Sequence, residues 1–508
     1  MEIEEKDLTY LRSMGITKDS LDRQVAYLEN GVPYLKLVSA AVPASGVFQV
    51  PQDQLDSLAE TWMSYTQTEH GIVKFVPASG AASRMFKDLF QFLEAPYDRP
   101  QTDSEMTFFN GFSRFAFHKD LEEACRNKYG KGISELLEEG SFKQVAHALL
   151  DKDGLGYGNM AKGLLLFHKT DTQAPRTPLE EHMVEGALYA ASRSGKVRIH
   201  FTVSERFDEA FKKLAKSKAM TFARRYGVEY EVTFSHQNPS TDTVSLDHQG
   251  QLVRDSEGEI LLRPAGHGAL LENLNALDAD IIFVKNIDNV VPDRIKGDGI
   301  LYKKVLAGFL VTLQQRIFTY LKILDSGHYT HAQLADMERF LEEELLCTHP
   351  QSHLLEDSER AVYIKDRLNR PLRVCGMVPR SGEVGGAPYM AVGPDGTISP
   401  QILEPSQIDL SDPVSAGIAL DGTHFNPVDL VLAVRDYKGE KFDLMRYVDP
   451  ATCFVSEKTL NGKPIRVLER PGLWNGAMSQ WNTVFVEVPL STFNPVKTVN
   501  DLLRVQHQ

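Results

Sequence analysis

The chain has 508 residues, 42% of them apolar and 24% charged, enough to bury a large core in two or three domains or in one elaborated α/β domain. Its net charge of −14, from 55 basic and 69 acidic residues, argues against a general nucleic-acid binder. It leaves a small anionic substrate open, because such a ligand senses only local charge. The four cysteines, Cys125, Cys347, Cys375 and Cys453, lie far apart with no paired spacing, and read as free thiols of a reducing compartment.

The start, Met1-Glu2-Ile3-Glu4-Glu5-Lys6, is acidic and lacks the apolar stretch of a secretory signal. The most apolar long run, around Val305 to Leu313, is too short to span a bilayer. A cytoplasmic protein without membrane or nucleic-acid partners is expected; the oligomeric state is not legible. Residues up to about 70 read as an N-terminal helical region, in which Gln52 to Tyr65 places Leu55, Leu58, Ala59 and Trp62 on one face. Short runs rich in β-branched residues follow as strands: Ile72–Pro77, Val197–Val203, Glu229–Phe234, Ile281–Asn286 and Arg373–Val378. Helical patterns lie between several of them, at Pro178–Ser192, Glu205–Lys216 and Gly268–Leu277. Thr177-Pro178 supplies a cap and a first-turn proline.

This alternation predicts an α/β fold, a mixed and mostly parallel central sheet flanked by helices. It occupies residues 71–400, with helical insertions near 86–158 and 301–370, and gives way to a small β-rich part over 401–508.

Five segments carry candidate chemistry, and each also has a plain structural reading. After the strand Ile72–Pro77 comes a loop of small residues, Ala78-Ser79-Gly80-Ala81-Ala82-Ser83, and then Arg84 opening a helix. Such a turn brings backbone N–H groups and a bidentate guanidinium to a phosphate, or is simply a tight strand-to-helix turn. Gln237, at the end of the next-but-one strand, can read a base edge or be a solvated loop amide. Gly266, His267 and Gly268 lead into a helix, where glycine lets a ligand ring lie flat on backbone or merely permits a left-handed turn. His267 by itself reads as a hydrogen-bonded structural histidine. Asp288 stands where the buried strand Ile281–Asn286 ends abruptly in charge, suited to a divalent cation or a sugar hydroxyl, or to capping. Lys497, near the C-terminus, carries no weight without context. In an open α/β sheet, groups at the carboxyl ends of strands converge on one ligand.

In order and spacing these segments resemble the UDP-sugar pyrophosphorylases, nucleotidyltransferases of the GT-A-like fold, from about residue 70 to 505. Ser79, Gly80, Ala81, Ala82, Ser83, Arg84 and Met85 are similar to the family's G-G-x-G-T-R-L loop. Met160-Ala161-Lys162-Gly163 resembles its P-K-G motif, and Phe234 to Gln237 its F-x-Q motif. Pro264 to Leu270 resembles P-x-G-N-G-G-L, and Val284 to Asn289 resembles V-x-N-x-D-N. Gly382-Glu383-Val384-Gly385-Gly386 with Ile402 to Ser406 is similar to E-x-V-G…V-V-E-Y-S, and Val488 to Leu503 to V-P-R-S-R-F-L-P-V-K-x-T-S-D-L-L. Overall the chain looks closest to a bacterial domain-of-unknown-function family related to these enzymes.

The resemblance implies transfer of a nucleotidyl group, uridylyl by preference, from a nucleoside triphosphate to a sugar 1-phosphate with release of pyrophosphate. It assigns Arg84, Lys162 and Lys497 to the phosphates as catalytic residues. Ser79, Gly80, Ala81, Ala82, Ser83, Gln237, Gly266 and His267 would bind the nucleotide, and Glu383, Gly386 and Glu404 the sugar. Asp288 would hold Mg²⁺ or Mn²⁺. Three departures stand out: Ala82 replaces a glycine, His267 replaces an asparagine, and roughly seventy-five residues separate the loop from Lys162, far beyond an ordinary connection. They bear on nucleotide identity and on turnover. The alternatives are a nucleotide- or nucleotide-sugar-binding pseudoenzyme, a GT-A-type glycosyltransferase, and an interaction protein working through its helical insertions.

Overall fold

The computed structural model describes residues 3–170, 174–382, 385–460 and 462–508. The chain folds as two compact units built from discontinuous segments: Met1–Tyr65, Gln237–Val284 and Lys304–Leu490 form the first, and Thr66–His236, Lys285–Lys303 and Ser491–Gln508 the second. These units cut across the three consecutive regions expected from sequence, since the last eighteen or so residues return to the second unit.

In the second unit three parallel strands, Ile72–Pro77, Lys196–Thr202 and Glu229–Ser235, lie in that order, with Lys74 opposite Ile199 and Thr202 opposite Ser235. Ile72 to Val76 are all buried, the continuous pattern of a strand covered on both faces. Helices Pro178–Tyr189 and Asp208–Tyr226 supply the crossovers. Thr177 caps the first through the Glu180 N–H, with Pro178 in its opening turn, as the sequence predicts.

The insertion after the first strand is helical, comprising Lys87–Glu94, Asp103–Asn110, His118–Tyr129, Ile133–Glu138 and Phe142–Leu150. It has its own core, rich in aromatic residues such as Phe86, Phe92, Phe108, Phe115 and Phe117. The tail contributes Val496, Val499, Leu502 and Leu503 to that core. At about 1.5–3 kcal/mol per fully buried large apolar side chain, this packing holds the tail in place.

In the first unit the strand order runs Val47–Phe48, Asn482–Glu487, Leu372–Pro379, His424–Ala433 and Ile281–Lys285, whose last residue begins a segment of the second unit. The first two pairings are parallel and the third is antiparallel, with a register break between Phe425 and Asp429 where Val428 takes φ 61°. Two three-stranded antiparallel sheets complete this unit: Leu37–Ala40, Ala387–Val392 and Ile398–Leu403, and Phe454–Leu460, Lys463–Glu469 and Ser245–Asp247. The fold is therefore mixed α/β with mostly parallel strands flanked by helices and a strand-rich C-terminal part. The N-terminal region is not wholly helical. Helices Glu5–Ser13, Lys18–Asn30 and Leu55–Tyr65 flank the strands Leu37–Ala40 and Val47–Phe48, which pair with partners over three hundred residues away in the chain. The second helical expectation resolves into Lys296–Ser326, His331–Glu343 and Asp357–Leu368.

Candidate functional site

In the second unit the loop after Ile72–Pro77 is fixed from both sides. Ala78 N–H donates to the Thr202 carbonyl at 2.8 Å, and Ser204 Oγ donates to the Ser79 carbonyl at 2.8 Å. Ala81 bridges Ala161 in antiparallel fashion, with Ala82 N–H donating to the Met160 carbonyl (2.9 Å) and Lys162 N–H to the Gly80 carbonyl (3.3 Å). A long helical excursion thus ends with Lys162 beside the loop, although roughly seventy-five residues intervene. Ser79, Gly80, Ser83 and Arg84 are exposed, whereas Ala82 is buried.

Two expectations are corrected here. The Ala82 N–H is spent on Met160 and is not part of a phosphate cradle. Arg84 does not open the helix: it ends a short 3₁₀ turn, Ala82–Arg84, and the helix begins at Lys87.

Lys162 Nζ donates to Asp288 Oδ2 at 2.8 Å and to the Val496 carbonyl at 2.8 Å. An ammonium has three protons, so one remains for an incoming acceptor. The pair is neither sealed nor flooded, with 16% and 20% of the two side chains exposed. The tail is stitched to the strand end by Val496 N–H to the Asp288 carbonyl (3.1 Å), and by Asn494 N–H to Asn289 Oδ1 (2.9 Å). It then meets the loop, where Val499 N–H donates to the Met85 carbonyl at 3.0 Å. Lys497 is exposed between these two anchors, and Asp501 Oδ2 accepts the N–H groups of both Lys497 and Thr498. Arg84, Lys162, Asp288 and Lys497 thus belong to segments that bond to one another.

Asn289 and Asp501, neither of them a candidate site residue, hold this arrangement. Asp501 carries the T-x-x-D capping pattern beginning at Thr498 and lies in the tail stretch, and Asn289 closes the Val284–Asn289 stretch.

A second cluster in the same unit is sealed. Glu185 accepts from Lys74 at 2.7 Å and from Lys285 at 2.8 Å, and Lys74 also donates to the His182 carbonyl at 3.2 Å. Burial lowers Lys74 to about 7 in spite of Glu185. Burial raises Glu185, but Lys285 and Lys74 outweigh it and hold the carboxyl well below its ordinary value. His182, kept neutral by burial, donates through Nε2 to the Asn286 and Ile287 carbonyls, each at 3.2 Å.

The remaining candidates lie in the first unit. Gln237 Nε2 donates to Asp242 Oδ1 at 2.9 Å, which orients the amide and leaves Oε1 as acceptor. Gly266 has φ +77°, and a Cβ there would fall 2.8 Å from Glu469 Oε2. A Cβ on Gly268 would lie 2.1 Å from the Pro471 carbonyl, so this turn needs glycine for close backbone approach. His267 stacks on Trp474 at 4.1 Å and 12°, and its Nδ1 accepts the Leu473 N–H at 2.9 Å. Burial lowers it to about 4, so it is a neutral, structurally engaged imidazole.

Glu404 is raised by burial and accepts from Asn475 Nδ2 at 3.3 Å. A Cβ on Gly386 would lie 3.2 Å from Glu404 Oε1, so these two candidate residues are neighbours. Glu383 lies outside the described residues.

For a divalent cation the donors are few. Asp288 offers one carboxylate with Oδ2 engaged by Lys162, and among the described residues no group of three or more His, Cys, Asp or Glu can hold a metal. That set does not fit a protein-caged ion. It does fit Mg²⁺ arriving on phosphates and touching a single protein oxygen. Among the described residues no helix is long and apolar enough to cross a membrane, and all four cysteines are buried free thiols.

The model of one protein family, DUF4301, a domain of unknown function, matches residues 4–508. No curated protein matches the chain. Among solved structures, a UDP-glucose pyrophosphorylase variant from Leishmania major is similar at 14% identity and TM-score 0.45, covering 99% of this chain and 79% of that one. A second variant of that enzyme, crystallised with UDP-glucose, is similar at 13% identity and TM-score 0.44 with the same coverage.

Proposed function

We propose that this chain, which belongs to the DUF4301 family, is a sugar-phosphate nucleotidyltransferase. It would transfer a nucleotidyl group, uridylyl by preference, from a nucleoside triphosphate to a sugar 1-phosphate with release of pyrophosphate. The observation that carries this reading is the bonding of Lys162, from one motif, to Asp288 and Val496, from two others, beside the Ser79–Arg84 loop.

In the reaction an oxygen of the sugar phosphate attacks the α-phosphorus in line. The new O–P bond forms as the bond to the bridging α,β-oxygen breaks, and pyrophosphate leaves with that electron pair. The nucleophile is already anionic, so no general base is needed, and rate comes from positioning and charge neutralisation. Lys162 meets the α-phosphate with its remaining proton, while Asp288 and the Val496 carbonyl fix the ammonium. Arg84, exposed and without a carboxylate partner among the described residues, takes the leaving phosphates together with the amides of Ser79, Gly80, Ala81 and Ser83. Lys497 takes the second phosphate. When bound, Mg²⁺ at Asp288 neutralises phosphate charge.

Gln237 and Gly266 of the first unit are the candidates for the base, with His267 shaping the turn, and Gly386 and Glu404 for the sugar; Glu383, also a candidate for the sugar, is outside the described residues. The Gln237 orientation favours uracil: its remaining Oε1 accepts a ring N–H, which uracil has at N3 and cytosine lacks.

Pyrophosphate release over a panel of nucleoside triphosphates and sugar 1-phosphates with Mg²⁺ tests the reading, with turnover expected on at least one uridine pair. Absence of turnover on every pair together with absence of nucleotide binding by calorimetry would sink it. The spent Ala82 amide favours a second reading, a nucleotide-binding protein without turnover. Binding with no pyrophosphate release, unchanged in Lys497→Ala, would establish that one instead.

A further inference from the structure

In the first unit the helix Pro413–Asp421 is apolar almost throughout, yet none of its residues is buried. Asp412 caps it through the Ser415 N–H at 2.9 Å, and Pro413 opens it. Its inner side, Ile418 and Ala419, packs on a small core with Leu37, Ala40, Tyr389 and Leu403. Its outer side is bare. Leu420 is 82% exposed, more than any other large apolar side chain among the described residues, and Val414 is 69% exposed. Leu410, in the turn before the helix, is 57% exposed.

Val414, Gly417 and Leu420 fall within about a third of the helix circumference, with Gly417 in the middle of the stripe. A Cβ on Gly417 would meet nothing within 4 Å, so the centre of the stripe is open to the approach of another backbone. A helix of nine residues is too short to hold itself in water and depends on the packing of its apolar faces. One that is apolar all round is ordinarily covered all round. Here the chain itself supplies only the inner half of that cover.

The charges around the stripe indicate what supplies the rest. Asp409 and Asp412 stand at the amino end. At the carboxyl end the exposed Arg380 donates to the Ala419 carbonyl at 3.2 Å, and no carboxylate pairs with it among the described residues. Acids at one end and an unpaired guanidinium at the other make the stripe complementary to itself turned end for end. A two-fold axis through Gly417 brings each Arg380 to Asp409 and Asp412 of the other copy, and sets the two helix dipoles antiparallel. Asp421 then faces the positive, amino end of the opposite helix. An anionic membrane is a poor match for a rim with three aspartates on a chain of net charge −14.

We propose that this helix face is the contact of a homodimer, in which two copies of the chain pack antiparallel across Gly417. A stable contact covers about 800 Å² on each partner, so the Asp409–Asp412 turn and the strand end at Arg380 join the helix in it. The contact is independent of the nucleotidyl-transfer reading and stands if that reading fails.

The test is the mass of the full chain by sedimentation equilibrium across micromolar concentrations, with a cross-link to check the geometry. The parent is a dimer. Leu420→Asp is a monomer with an unchanged far-ultraviolet circular dichroism spectrum, and Arg380→Glu weakens the dimer about tenfold or more. Should Leu420→Asp fail to fold, Val414→Glu gives the same readout. Under mild oxidation Gly417→Cys joins to itself, because the axis sets the two thiols side by side, while the four native cysteines are buried. Met220→Cys, on the exposed side of Asp208–Tyr226, does not. A monomeric parent with no Gly417→Cys cross-link would overturn the contact, whether or not that monomer binds phosphatidylcholine or phosphatidylglycerol vesicles. A dimer that Leu420→Asp leaves intact and Gly417→Cys does not cross-link would overturn it equally.

Discussion

Two lysine–carboxylate clusters in the second unit use the same residue types for opposite ends. At Lys74, Glu185 and Lys285 the side chains are 0%, 4% and 6% exposed, and each Glu185 oxygen is taken by one ammonium. At Lys162 and Asp288 the side chains are 16% and 20% exposed, one ammonium proton is unspent and one carboxylate oxygen is left. The first is a saturated knot that joins a strand, a helix and a strand end. The second is held by the protein yet keeps capacity to bond a newcomer. Residue type does not separate the sealed cluster from the open one; unspent bonding capacity and access do.

The largest effect expected from breaking this contrast is on stability. Glu185→Ala leaves two buried ammoniums unpaired and should cost about 3–5 kcal/mol, measured by denaturant unfolding. A loss under about 1 kcal/mol would show that the knot is not sealed. Lys162→Met should do the reverse. It lowers pyrophosphate release by about 10²–10³-fold, as removal of one transition-state donor does, while its denaturation midpoint stays close to the parent's. Equal losses of stability in the two variants would erase the distinction between them.

Acid should attack the scaffold side, where His182 is held neutral. His200 is lowered to about 4 and His507 to about 3, both chiefly by burial. These folded values lie below the unfolded value of about 6.5, so the unfolded chain binds more protons as pH falls from there. The stability they confer is therefore complete above about pH 6.5 and is lost as pH drops toward 4 and 3. For His200 alone it is on the order of 2–3 kcal/mol. Unfolding followed by far-ultraviolet circular dichroism should show that slope, and His200→Gln should flatten it; a flat profile from 7 to 4 would refute it.

Smaller still is the effect of Asp288→Asn, about tenfold on turnover. If Asp288 touches the cation, the variant also needs more Mg²⁺ for half-maximal rate. An unchanged Mg²⁺ requirement with the same loss would leave Asp288 as a positioning residue for Lys162.

Much of the fold was legible in the chain itself. Ile72–Pro77 is the strand its β-branched run predicts, and Pro178–Tyr189 begins at its Thr-Pro signal. Leu37–Ala40 and Val47–Phe48 were not legible, because such short runs become strands only through pairing with Ala387–Val392 and Asn482–Glu487. Tertiary contact overrides weak local preference there. For the site, motif order supplied the candidates, but it could not show that the Ala82 amide is engaged, and the plain reading of His267 as a hydrogen-bonded structural histidine is the one its partners match. Ala82 gives its amide to Met160, and His267 gives its Nδ1 to Leu473 and its face to Trp474. Neither partner is a sequence neighbour of the motif it serves.

What the sequence determined by itself is local: strand and helix periodicity, the capped helix starts, the small-residue loop, and the placement of lysines and a carboxylate at the ends of motifs. Only the tertiary structure decided which charges are spent. Lys162 is bonded to residues 126 and 334 positions away, and Lys74 to one 111 positions away. A side chain's partners and its access to water are set by long-range packing. The energy of a charge depends on those two quantities far more than on its neighbours in the chain.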